Sequence, residues 1–127
     1  MTLYFVYGTL MRGGGNSHIL EESEFIGPGV TVLQYSMLGG GYPIVTAPSG
    51  KVGRVRGEVY NVRSRLTRRR LDVLEGVPHM YRRARVRVVL GDGRKIRCRI
   101  YIGSDDFVRA QRQHRREVDP ILEWRSR

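Results

Sequence analysis

Two alternating runs, Arg83 to Leu90 and Lys95 to Ile102, flank Gly91-Asp92-Gly93, and no other stretch restricts the fold as strongly. Period-two alternation suits a half-buried strand and not a helix, and a glycine-aspartate turn between two such runs signals a hairpin. One face of that hairpin carries Ala84, Val86 and Val88 with Ile96, Cys98, Ile100 and Ile102; the other carries arginines. Val52 to Val62 alternates in the same way, with Val55, Gly57 and Val59 against Arg54, Arg56, Glu58 and Tyr60. A chain with these segments must build a sheet with one apolar side.

The remaining elements follow from local signals. Thr2 to Tyr7 reads as a buried strand that Gly8 ends. Met11 to Gly15 form a glycine loop, and Asn16 or Ser17 can cap a short helix through Ile19, Leu20 and Glu22. Gly27-Pro28-Gly29 reads as a turn before a strand from Val30 to Leu38. Gly39-Gly40-Gly41-Tyr42-Pro43 is a loop whose backbone can approach a ligand closely, and Ile44-Val45 continues the sheet. Ser64 fits the N-cap of a helix in which Leu66, Leu71 and Leu74 form the inward stripe, Gly76 is the left-handed closing residue, and Pro78 blocks continuation. Asp105-Asp106 open a last helix expected to reach about Val118, before Asp119-Pro120. Ile121, Leu122 and Trp124 are apolar residues in a polar tail, expected to fold back or to meet a second subunit, which allows a homodimer. The class is α+β. With no repeat, linker or low-complexity segment, the chain is expected to form one domain over 1–127.

Composition narrows the function. The chain has 23 basic and 12 acidic residues, a formal charge of +11, and Lys51 and Lys95 are its only lysines. Such a field favours anionic partners or substrates and permits nonspecific nucleic-acid binding. The arginines spread over strands and helices alike, which reads as a solvated outer surface more than a specific nucleic-acid reading head. No apolar run approaches the roughly 20 residues that span a bilayer. The start at Met1 lacks the charged and small-residue pattern of a signal peptide, so cytoplasmic residence is expected. Cys98 is the sole cysteine, set between Ile96 and Ile100, where it reads as a small buried hydrophobe.

Two segments carry candidate chemistry. Past the first strand, Tyr7-Gly8-Thr9-Leu10 offers a tight turn whose consecutive N–H groups can converge on a carboxylate or an oxyanion. In Leu71-Asp72-Val73-Leu74-Glu75-Gly76, Glu75 stands at a helix end. The negative end of the helix dipole, the like charge of Asp72 and partial burial beside Leu71 and Leu74 are each expected to raise its pKa. A carboxyl tuned upward in this way can take and return a proton near neutral pH. The bland alternative pairs Glu75 with Arg82 or Arg83. An acid and an amide-lined turn suffice for closing a small ring, with no metal, no cofactor and no nucleophilic side chain.

Combined, these blocks resemble the γ-glutamylcyclotransferase-like superfamily, especially its γ-glutamylamine cyclotransferase branch. The resemblance runs from Phe5-Val6-Tyr7-Gly8-Thr9-Leu10-Met11-Arg12-Gly13, with Asn16 and Leu20, through Gly41-Tyr42-Pro43 and Val55-Arg56-Gly57-Glu58-Val59-Tyr60 to the segment from Leu71 to Arg83. It implies a compact mixed β-barrel with a few flanking helices. It also implies substrate binding at Tyr7, Gly8, Thr9 and Leu10 and proton acceptance by Glu75. The implied substrate is a small γ-glutamyl amine or peptide whose own α-amine attacks its side-chain amide and releases 5-oxoproline. Tyr81 either lines that pocket or packs in the core, and Tyr7 either offers its hydroxyl to Glu75 or substrate or packs. The chain departs at its end, where an arginine-rich helix and Glu123-Trp124 replace the Gly-Asp-Trp-like segment of relatives.

Three other readings compete. Ser17, His18 and Asp72 supply the residue types of a hydrolase triad but lack a nucleophile elbow. A nucleic-acid-binding barrel fits the arginine faces, with Tyr60 and Tyr101 as the only stacking candidates. A non-catalytic small-ligand sensor would keep the same pocket residues. His18, His79 and His114 lie far apart without metal-ligand spacing.

Overall fold

The structure is a computed structural model and describes residues 1–120. Its strands are β1 (Leu3–Val6), β2 (Glu24–Leu38), β3 (Ile44–Thr46), β4 (Gly53–Asn61), β5 (Tyr81–Leu90) and β6 (Lys95–Gly103), and its helices are α1 (Arg65–Leu74) and α2 (Asp105–Gln111), with a 3-10 turn at Ser17–Leu20. The order β3-β2-β4-β1-β6-β5, together with a β2–β5 pairing, closes five strands into a barrel and leaves β3 as an appended edge on β2. The barrel is mixed because β1 runs parallel to β6 while the other pairs are antiparallel. This is the α+β barrel with flanking helices that the resemblance implied.

The hairpin alternation sets the closure. Ala84 lies opposite Ile100, Val86 opposite Cys98 and Val88 opposite Ile96, so the apolar side chains of both strands turn inward together. They meet Phe5, Met37, Val55 and Val59 in the barrel interior. A second apolar cluster forms on the outside, where Tyr4, Val6, Tyr60 and Tyr101 are covered by Leu71 of α1 and by Leu10 and Leu20 of the N-terminal loop. Cys98 is buried, and that burial pushes its thiol up to about 12, in keeping with a packing role. Gly57 is required by a close approach: a Cβ there would collide with the Val6 carbonyl oxygen and the Phe5 ring of β1.

Several local expectations need correction. Gly27-Pro28-Gly29 is not a turn but part of β2, with Pro28 opposite Glu58 and Gly29 opposite Gly57. The register shift between Phe25 and Gly27 inserts one extra residue, and a bulge is where proline and glycine are tolerated inside a strand. In α1, Ser64 does cap by accepting the Thr67 N–H, and Gly76 at φ 62° closes the end. The expected apolar stripe reduces to Leu71, fully buried, while Leu66 is 59% and Leu74 38% exposed. Five residues on a 3.6-residue period carry Leu66 away from the face of Leu71. Asn16 stands at the N-cap of the 3-10 turn without a capping side-chain bond, because its amide donates to Thr9 Oγ1 at 2.9 Å instead.

Helix α2 ends at Gln111, well before Val118. The following residues pair with the end of β2: Gly39 N–H donates to the Arg116 carbonyl at 3.0 Å, and Val118 N–H to the Met37 carbonyl at 3.0 Å. Backbone groups left open beyond β2 therefore win over continuation of the helix. The expected docking of Ile121, Leu122 and Trp124, and with it the homodimer, lies outside the described residues. Among the described residues no helix is long and apolar enough to cross a membrane.

Candidate active site

The strand directions bring the candidate residues to one end of the barrel. The C-terminal ends of β1, β2 and β6 and the N-terminal end of β5 share that end, and α1 delivers its last turn there immediately before β5. A cavity of about 300 Å³ opens between them, lined by Tyr7, Gly8, Thr9 and Leu10, by Leu74 and Glu75, by Met80 and Tyr81, by Gly41, Tyr42 and Pro43, and by Asn16 and Tyr101. Glu75 is the one charged side chain among these lining residues.

The turn after β1 is locked from behind. Met11 N–H donates to the Gly8 carbonyl at 3.0 Å, and Asn16 N–H to the Thr9 carbonyl at 2.9 Å. Gly14 packs so close that a Cβ would collide with the Thr9 carbonyl oxygen. The carbonyls are thus turned into the loop. Among the described residues the N–H groups of Gly8, Thr9 and Leu10 donate to no protein acceptor, which leaves them free for an anion. Arg12 N–H donates to Glu58 Oε1 at 2.9 Å and the Arg12 guanidinium stacks on Phe25 at 4.0 Å, holding the next stretch of loop to the barrel wall.

Glu75 is the residue that ends α1. Its N–H donates to the Leu71 carbonyl at 3.0 Å and its carbonyl accepts the Tyr81 N–H at 3.2 Å, so its backbone is fixed on both sides. Burial raises its pKa from 4.5 to about 7. The expected contribution from Asp72 is absent: Asp72 accepts the Tyr101 hydroxyl at 2.7 Å and faces Arg83 at 3.9 Å. Neither Arg82 nor Arg83 pairs with Glu75 among the described residues. Among the described residues no hydrogen bond joins Asp72 to Ser17 or His18, so the triad is not assembled. No group of three or more His, Cys, Asp and Glu suited to a metal occurs among the described residues.

The tyrosines divide their roles. The Tyr7 hydroxyl donates to the Tyr101 carbonyl, not to Glu75. The Tyr81 hydroxyl donates to the Pro43 carbonyl at 2.9 Å. Burial, reinforced by the negative charge of Glu75, raises both phenols, so each stays protonated and neutral. Both therefore line the cavity and pack at once. Tyr42, Met80 and Tyr101 also line the cavity without having been among the expected substrate-binding residues; Tyr42 and Met80 lie in segments that carry the family resemblance, and Tyr101 carries none of it.

Comparison with known proteins identifies the scaffold. The profile of the family described as gamma-glutamyl cyclotransferase, AIG2-like, matches residues 4–126. The chain belongs to this family. A protein of Methanocaldococcus jannaschii provisionally named a gamma-glutamylcyclotransferase is 39% identical over 102 residues, covering 80% of this chain and 83% of its own. The gamma-glutamylaminecyclotransferase of Rattus norvegicus is 34% identical over 116 residues, covering 80% and 77%. The crystal structure of an AIG2-like protein from mouse superposes with a TM-score of 0.73 at 30% identity, covering 85% of this chain and 82% of that one. Membership makes the chain an enzyme of the gamma-glutamyl cyclotransferase kind and agrees with the amine cyclotransferase branch read from its motifs.

Proposed function

We propose that this family member cyclises a γ-glutamyl amine or short γ-glutamyl peptide in one domain without a cofactor, in the cytoplasm. The observation that carries the reading is a single cavity shared by Glu75, with its pKa near 7, and the unpaired N–H groups of Gly8, Thr9 and Leu10. Ionised Glu75 takes a proton from the substrate α-ammonium. The freed amine nitrogen attacks the γ-carbonyl carbon, forming the ring C–N bond and a tetrahedral oxyanion. Collapse breaks the original amide C–N bond; Glu75 returns its proton to the departing nitrogen, and the second proton shed by the ring nitrogen follows, so that the amine leaves as its ammonium. The products are 5-oxoproline and a free amine, and no water is consumed. The turn at Gly8 to Leu10 holds either the α-carboxylate or the oxyanion, both of which suit converging N–H donors.

A carboxyl with a pKa near the working pH suits both halves of this cycle, because it is neither too weak a base nor too weak an acid. Tyr7 and Tyr81 enter as neutral wall residues beside Glu75. The test offers a panel of γ-glutamyl amines and dipeptides and detects 5-oxoproline by mass. Release from at least one member is expected; binding without release on every member would replace the enzyme reading with a small-ligand sensor.

A further inference from the structure

The segment after α2 reaches the cavity from outside. Arg115 Nη1 donates to two backbone carbonyls of the Gly39–Pro43 loop, Gly39 at 3.1 Å and Tyr42 at 2.7 Å. Its Nε donates to Gln111 Oε1 at 2.7 Å, and its guanidinium carbon lies 4.2 Å from the centre of the Tyr42 ring. The space is closed: a Cβ on Gly40 would run into that guanidinium. The backbone follows the side chain, with Gly39 N–H held by the Arg116 carbonyl and Leu38 bridged to Glu117. Glu117 is fastened in turn by Arg112 at 2.8 Å and by the Lys51 N–H at 2.9 Å.

The opposite side of the same loop is held by Tyr81, whose hydroxyl donates to the Pro43 carbonyl. Three carbonyls of the loop, at residues 39, 42 and 43, are therefore taken by one cation from outside and one phenol from inside. Tyr81 is next to Glu75 in the cavity lining, and Arg115 is near enough to lower the Tyr81 pKa against the larger effect of burial. Glycine-rich loops have little conformational preference of their own, so a wall built on three glycines takes its shape from what clamps it.

We propose that Arg115 is a positioning residue: it fixes the Gly41-Tyr42-Pro43 wall of the cavity against Tyr81 and thereby sets how tightly the γ-glutamyl substrate is held. The proposal rests on the cyclotransferase reading for its kinetic consequence and on the loop geometry for its structural one. A planar guanidinium reaches two carbonyls, a side-chain amide and a ring face at once; an ammonium matches the charge but not that fork. The wall touches substrate equally before and during reaction, so its loss weakens binding without removing the proton carrier.

The test compares wild type, Arg115→Ala and Arg115→Lys. KM is expected to rise about tenfold in Arg115→Ala with kcat within about threefold, and Arg115→Lys is expected to recover only part of that loss. Arg115→Lys, which retains the charge and the side-chain bulk, answers the question if Arg115→Ala does not fold. A lower melting temperature with unchanged KM in the folded variants would reduce Arg115 to a stabilising contact and overturn the proposal. Hydrogen exchange at the Gly39 amide reads the clamp without substrate, and acceleration of about tenfold is expected in either variant. Unaltered exchange would overturn the proposal even if the enzyme turns over. A wild type that turns over no panel member while the variants still exchange faster would instead sink the cyclotransferase reading and leave the clamp in place.

Discussion

The hydroxyl of Tyr7 is bonded to the backbone carbonyl of Tyr101, two strands' ends stitched by a side chain where the parallel β1–β6 pairing stops. That pairing has a single bridge, Tyr4 opposite Arg99, so the stitch carries the barrel closure up to the rim of the cavity. Tyr7→Phe removes the donor and leaves the Tyr101 carbonyl buried. A loss of about 1–2 kcal/mol in unfolding free energy is expected, measured by urea denaturation. The kcat for 5-oxoproline release is expected to fall less than about tenfold; a collapse of kcat with unchanged stability would give the Tyr7 hydroxyl a chemical role instead.

Burial of Glu75 has consequences for both stability and rate. Its carboxyl titrates near 7 in the folded protein against 4.5 when free. A raised folded pKa contributes stability that is complete below about 4.5 and is lost as pH climbs through about 7. Wild type relative to Glu75→Gln is therefore expected to lose roughly 2 kcal/mol between those limits, after allowance for its partial exposure. Under the proposed mechanism the rate follows the opposite direction, because Glu75 must be ionised to accept the proton: kcat/KM is expected to rise with pH along an acid limb centred near 7. A flat profile from pH 5 to 8 would separate Glu75 from the rate.

The helix that presents Glu75 has one fully buried side chain among the described residues, Leu71, beside the polar bond between Asp72 and Tyr101. Leu71 is fully buried against the outer cluster, whereas Leu66 is 59% exposed. Leu71→Ala is expected to cost about 2–5 kcal/mol and Leu66→Ala less than about 0.5 kcal/mol. Thermal denaturation of the two variants checks this asymmetry; equal losses would mean that α1 packs in another orientation.

The parts legible in the sequence share one property: their signal is carried by side-chain periodicity or by a residue type with a strong local preference. The β5–β6 alternation survived into the structure with the expected inward face, and Gly76 took the left-handed position that ends α1. Glu75 stands out in the sequence for reasons partly different from the one that raises its pKa, since burial acts and Asp72 is turned away to Tyr101. What was not legible depends on tertiary pairing. The glycines and proline of residues 27–29 look like a turn until β4 supplies the opposite edge of a bulge. The helical continuation to Val118 was lost to the open backbone beyond β2. Arg115 had no sequence signal, because its partners are main-chain carbonyls that any sequence would offer.

The arginine surface was legible in part, and the register sharpens what it does. Arg85 stands opposite Arg99 and Arg87 opposite Arg97 on the outer face of the hairpin, and all four are exposed. Like charges facing across strands repel, so Arg85→Gln and Arg97→Gln are each expected to leave stability unchanged or raise it by a few tenths of a kcal/mol, roughly. The stacking candidates Tyr60 and Tyr101 are buried and unavailable to bases. Binding to nucleic acid is then expected to be independent of sequence and to fall steeply between low and physiological salt, as read by fluorescence anisotropy. Tight, sequence-selective binding at physiological salt would make nucleic acid a partner of the protein.

The decisive variant is Glu75→Gln, which keeps the volume of the side chain and most of its hydrogen-bonding capacity but cannot accept the substrate proton. Its backbone bonds to Leu71 and Tyr81 do not involve the side chain, so the end of α1 and the start of β5 should stay in place. Removing the unfavourable burial of a charge should also leave the variant at least as stable as wild type near neutral pH. Against that unchanged scaffold, 5-oxoproline release is expected to drop about 10²- to 10⁴-fold, the usual contribution of general acid-base catalysis. Binding of the same γ-glutamyl amine, followed by calorimetry, should persist, because the Gly8 to Leu10 turn and the tyrosine walls are untouched. Wild-type turnover in the variant would clear Glu75 of the proton transfer, and the only charged group among the described residues that line the cavity would then be a binding residue.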